Sequence, residues 1–104
     1  LVKKAAGLRI FKDDSQKMNL SVQDMGGEAL VVSQFTLCAN TRKGRRPSFV
    51  SAAEPKIAEF MYNQYCQELQ LLDIPVSKGQ FGAVMCVELL NDGPVTILLD
   101  SQKD

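Results

Sequence analysis

A chain of 104 residues with 45% hydrophobic side chains can hold one domain with its own core, and it contains no apolar run of the roughly twenty residues that span a membrane. Its twelve cationic and twelve anionic side chains cancel, so no global field draws it to nucleic acid and any such binding must be local. Histidine is absent, which removes Ser-His and Cys-His nucleophilic systems and the commonest general base; carboxylates, hydroxyls, backbone dipoles and groups on the substrate remain.

The chain begins at Leu1 rather than Met, with no signal-peptide pattern at its start. Cys38, Cys66 and Cys86 are odd in number and widely spaced, with no CxxC pair and no metal-ligand cluster. They read as small buried hydrophobes in a reducing compartment.

Leu1 to Ala6 read as the last turns of a helix, with Lys3 and Lys4 near its C-terminal end and Gly7 as its stop. Leu8–Phe11 is a short strand, Lys12–Lys17 a polar turn and Met18–Val22 a second short strand. Asp24-Met25-Gly26-Gly27 turns the chain, and Glu28 opens a central strand. Leu30, Val31 and Val32 are apolar in a row, as in a strand covered on both faces. Ser33, Gln34 and Thr36 then put polar groups where core is expected. A buried hydroxyl or amide is costly unless hydrogen-bonded, so these residues are structural hydrogen-bonders or the floor of a site. Arg42, Lys43, Arg45 and Arg46 follow, broken by Gly44 and closed by Pro47; they make either a solvated loop or a phosphate-seeking one.

The next segment is the clearest helix. Pro55 suits its first turn, and Ser51 or Ala53 could cap it. Ile57, Met61, Tyr65, Leu69 and Leu72 fall at helical spacing, flanked by Ala58, Tyr62 and Cys66, which predicts a packing face. Leu72-Asp73-Ile74-Pro75 ends the helix. Val76 and Ser77 begin a strand that breaks at Lys78-Gly79-Gln80-Phe81-Gly82, where two glycines around Phe81 allow a bend and a close approach to the backbone. Ala83–Leu90 reads as an inner strand, Asn91-Asp92-Gly93-Pro94 as a sharp turn, and Val95–Leu99 as the returning strand. This order predicts an α+β domain with a largely antiparallel sheet.

Two stretches carry a specific resemblance. Ser33-Gln34-Phe35-Thr36-Leu37 matches the SQFTL motif, and Asn91 to Thr96 (NDGPVT) matches the NxGPxT motif, of the D-aminoacyl-tRNA deacylases. The linking text TRKGRRPSF, SAAEP and GQFGAVM also resembles that family, over Leu8 to Ser101. The resemblance implies a barrel-like sheet with a packed helix. It also implies a single domain over residues 1–104 that is N-terminally incomplete, because the family normally begins with a further pair of strands and most of a helix. The implied activity is hydrolysis of the ester joining a D-amino acid, or glycine on tRNA-Ala, to the terminal adenosine of tRNA, as proofreading in the cytoplasm, without cofactor or metal.

The site residues that the resemblance implies are Ser33, Gln34, Phe35, Thr36 and Thr96 for catalysis, and Asn91, Gly93, Pro94, Phe81, Gly82 and Met85 for the substrate. Arg42, Lys43, Arg45 and Arg46 would meet phosphates of the acceptor end. Phe35 would offer a face to the terminal adenine. Thr36 and Thr96 are nucleophile candidates with no activating base in sequence, so substrate-assisted hydrolysis competes with them. In the family, Gly93-Pro94 is cis and reads the substrate in the other subunit of a homodimer. The sequence itself leaves that isomer open. An inactive RNA-binding module, and a related deacylase branch with a trans Gly-Pro, stand as alternatives.

Overall fold

The computed structural model describes residues 1–104. In chain order it contains helix α1 (Val2–Gly7), strands β1 (Phe11–Lys12), β2 (Met18–Leu20) and β3 (Ala29–Val31), a 3₁₀ turn (Phe35–Cys38), helix α2 (Pro55–Leu71) and strand β4 (Val76–Lys78).

Helix α2 starts where Pro55 removes an N–H that would have no partner in a first turn. Its cap is Glu54, whose carboxylate accepts from the Lys56 amide at 3.3 Å, and not Ser51 or Ala53. A carboxylate there satisfies an orphan donor and also suits the positive end of the helix dipole. The buried stripe is Tyr62, Cys66 and Leu69, whereas Ile57 and Met61 are more than half exposed. Tyr65 and Leu72 pack against the core beside that stripe, so the predicted face holds along the second half of the helix and fails at Ile57 and Met61. The end of α2 is a Schellman arrangement. Asp73 takes a left-handed φ of 60°, its amide reaches Gln70 O at 3.0 Å, and the Ile74 amide reaches Leu69 O at 3.2 Å. That turn folds Ile74 back onto Leu69, and with Ala6 from α1 they form the core cluster.

β1 and β2 pair antiparallel, whereas β3 and β4 pair parallel, with Ala29 opposite Val76 and Val31 opposite Lys78. The α+β class therefore holds, but the largely antiparallel, barrel-like sheet does not: there are two separate two-stranded sheets and no closed barrel. The expected strands Ala83–Leu90 and Val95–Leu99 are also absent. Their composition suits strands, but strand geometry needs a neighbour to take up its backbone groups, and this chain supplies none there. Val84, Leu90 and Leu98 are almost fully exposed. Leu30 is 61% exposed, so β3 is not covered on both faces. Gln34 and Thr36 are likewise exposed rather than set into core, and of the three cysteines only Cys66 is buried. Six residues are buried in all, and the radius of gyration is 15.7 Å, against about 13 Å for a compact chain of this length.

Candidate functional site

The parallel pairing of β3 and β4 positions the site. Both strands run the same way, so the segments that follow them, Val32–Phe35 and Gly79–Met85, leave at the same end of the pair. That end is where ligands sit on parallel strands generally. Between these segments and the first turns of α2 lies an open cleft of about 740 Å³. Ala52, Ala53 and Ala58 line the helix side, and their small side chains leave the space unfilled.

Ser33, Gln34, Phe35, Phe81, Gly82 and Met85, taken from two distant stretches of sequence, all line this cleft. Phe35 is 61% exposed and is held edge-on by Phe49, with ring centroids 5.2 Å apart, so one aromatic surface stays open. Gly79 has no room for a side chain: a Cβ there would come within 2.7 Å of Met85 Sδ. Gly82 has φ +74°, a backbone conformation that favours glycine and that bends the segment between Phe81 and Met85.

Thr36 is the second residue of the 3₁₀ turn, and the Gln34 carboxamide donates to its Oγ1 at 2.6 Å. A carboxamide is no base in either orientation, so this contact orients the hydroxyl without activating it. The Phe35 and Thr36 amides open the turn and have no partner within it. They are the polar groups of the segment best suited to stabilise developing negative charge.

Asn91, Gly93, Pro94 and Thr96 do not line the cleft. They lie on an exposed segment in which the Gly93-Pro94 bond is cis. The four cations form a separate exposed loop. Asn40 and Ser48 close its base with backbone bonds of 2.7 and 2.9 Å, and the Arg42 amide donates to Asn40 Oδ1 at 3.0 Å. Gly44, at φ +67°, makes the turn between Lys43 and Arg45.

Tyr62, Cys38 and Phe49 complete the surroundings, and nothing in their sequence context marks them as functional. Tyr62 is buried on α2, and its hydroxyl lies 2.9 Å from Val31 O and 3.1 Å from Gly79 O. Burial, reinforced by Cys66, pushes its phenol above the ordinary value of 10.0. The neutral donor is therefore the form that the fold stabilises. That stability is present below pH 10.0 and is lost as pH rises through the raised value.

The family model for D-Tyr-tRNA(Tyr) deacylase matches residues 1–100. The chain belongs to the D-Tyr-tRNA(Tyr) deacylase family. It is 62% identical over 101 residues to a D-aminoacyl-tRNA deacylase of Roseiflexus castenholzii, covering 97% of this chain and 64% of that protein. A D-aminoacyl-tRNA deacylase of Fusobacterium nucleatum is 54% identical over 102 residues, covering 98% of this chain and 68% of its own length. Among solved structures, the c-Myc DNA Unwinding Element Binding Protein superposes with a TM-score of 0.85 at 42% identity, covering 96% of this chain and 68% of that one. The chain thus spans about two thirds of the length of the curated relatives it matches. Within the family frame, the two motif stretches separate: Ser33, Gln34 and Phe35 of the SQFTL stretch line the cleft of this chain while Thr36 and Leu37 do not, and the NDGPVT stretch lies outside it.

Proposed function

We propose that the cleft hydrolyses the ester of D-aminoacyl-tRNA, releasing free D-amino acid and tRNA. The observation that carries this reading is the meeting of Ser33–Phe35 with Phe81–Met85 around a cleft that has an open aromatic surface and unpaired amides beside it. The names of the relatives support it. An aminoacyl ester is already activated, so positioning and oxyanion stabilisation suffice. Water adds to the ester carbonyl carbon, helped by the neighbouring ribose hydroxyl. The Phe35 and Thr36 amides hold the oxyanion, and the ester C–O bond breaks as the ribose oxygen takes a proton. Phe35 stacks the terminal adenine, with Phe81 and Met85 across from it. The reaction belongs where tRNA is charged and used, in the cytoplasm.

Asn91, Gly93, Pro94 and Thr96 serve a second copy in this proposal. They stand outside their own chain's cleft on a segment whose Leu90 and Leu98 are about nine-tenths exposed, a surface that association would cover. Two chains related by a two-fold axis would then exchange these turns, and the main-chain carbonyls of Gly93 and Pro94 would read the substrate's α-amino group. A reader made of backbone ignores the side chain, so D-amino acids of many kinds fit while the L hand is excluded. Glycine has no side chain to exclude, so glycyl-tRNA is also cleaved.

The direct experiment measures ester release from D-tyrosyl-tRNA beside retardation of tRNA in a gel. Release supports the enzyme, and retardation without release supports a binding module. In the same assay, Thr36→Ala and Thr96→Ala should each keep activity within about tenfold of the parent, because neither hydroxyl has a base to activate it. A loss of several orders of magnitude with binding intact would make that threonine the nucleophile.

The basic loop meets backbone phosphates of the tRNA. Changing Arg45 and Arg46 to Ala should weaken tRNA binding and flatten its salt dependence, by about one unit of slope for each phosphate no longer neutralised, leaving the D-over-L preference in place. A salt slope equal to that of the parent would return the loop to plain solvated surface.

A further inference from the structure

Each strand of the pair that delivers the two cleft walls is only three residues long, which is a weak scaffold for a precise gap. The Gly79 amide donates to Val31 O at 3.1 Å, just before the walls diverge. The Tyr62 hydroxyl stands at the same place, within hydrogen-bond distance of both Val31 O and Gly79 O. It carries one proton for two carbonyls, so it draws both strand ends to a single donor on α2. Its ring adds a second hold, with its centroid 5.9 Å from that of Phe81. The other side of Gly79 is closed by Met85, whose sulfur occupies the space a side chain would need. Gly79 is thus fixed by its amide, its carbonyl and its missing Cβ.

We propose that Tyr62 is a positioning residue that sets the width of the cleft, by tying the end of β3 and the start of the Gly79–Met85 wall to α2. The kinetic part of this inference rests on the deacylase reading, and the structural part stands without it. The two carbonyls do not depend on Tyr62 equally. Val31 O keeps the Gly79 amide when the hydroxyl is removed, whereas Gly79 O has no other donor. Loss of the hydroxyl therefore loosens the Gly79–Met85 wall more than the Ser33–Phe35 wall. Substrate seating should suffer more than the oxyanion amides.

The test is Tyr62→Phe, which keeps the ring, compared with Ile74→Val, which trims the core cluster on which Val31 and Val76 pack but leaves the Tyr62 hydroxyl and both carbonyl contacts in place. Both should lower Tm. Only Tyr62→Phe should raise KM for D-tyrosyl-tRNA, by about tenfold, with kcat changing less than about threefold. Amide hydrogen exchange gives a readout that needs no substrate. Tyr62→Phe should speed exchange over residues 79–85 by about tenfold and leave residues 11–20 as in the parent. Unchanged exchange over 79–85 overturns the clamp. Faster exchange with unchanged KM, or an equal rise in KM for Ile74→Val, overturns its role in seating substrate. If the parent chain releases no amino acid at all, the deacylase reading falls and exchange alone decides for or against the clamp.

Discussion

Two variants that are inactive alone should become active when refolded together. One carries Gln34→Ala and Phe35→Ala, which strip the cleft of its open aromatic surface and of a carboxamide on the same wall. The other carries Gly93→Ala, whose added Cβ would crowd the Val95 amide at 3.0 Å and displace the turn. If each turn serves the cleft of the other chain, a mixed dimer contains one site with both parts intact. Random pairing of equal amounts makes half of the dimers mixed, so recovery should approach about a quarter of the parent activity. A mixture that stays inactive, while parent chains put through the same refolding recover, would place the turn and the cleft in one chain or remove the turn from the site. Sizing gives the companion result: activity should follow the dimer fraction.

The second large effect concerns stability. Ile74→Ala should destabilise the fold by about 2–5 kcal/mol, the range for emptying a fully buried aliphatic site. Ile74 is 2% exposed and is the largest fully enclosed side chain. It also closes the Schellman turn against Leu69, and Val76 of β4 packs against the same cluster. With so small a core there is little else to offset the loss, and whole domains are stable by only about 5–15 kcal/mol. Denaturant titration measures the change. A loss below about 1 kcal/mol would mean that the site collapses around the cavity or that the core lies elsewhere.

The elements that depend on local signals are legible in the sequence. Pro55 opens α2 because it acts through its own backbone, whereas α1 runs through Gly7, which has no left-handed φ, and stops at the extended Leu8. What depends on partners is not legible. Ala83–Leu90 and Val95–Leu99 have strand composition, but an isolated chain offers them no ladder. The parallel pairing of β3 with β4 joins segments more than forty residues apart, and nothing local encodes its direction. The site divides in the same way. The SQFTL and GQFGAVM stretches can be picked out by motif and do meet, but their meeting depends on that parallel pair. In sequence Tyr62 is one more apolar position on α2; its hydroxyl bonds to two carbonyls exist only in three dimensions. Cys38 and Cys86 read as buried and are exposed, because composition carries no information on which surfaces remain uncovered.

The measurement closest to the central claim compares single-turnover release of tyrosine from D-tyrosyl-tRNA and from L-tyrosyl-tRNA by the same preparation. Release from the D ester should be fast, with almost none from the L ester above its spontaneous hydrolysis. Exclusion by a rigid backbone reader acts on the hand of the substrate and not on its side chain, so the same contrast should hold for other D-aminoacyl esters. Comparable rates on the two hands would contradict it, since a site that hydrolyses both cannot be reading chirality.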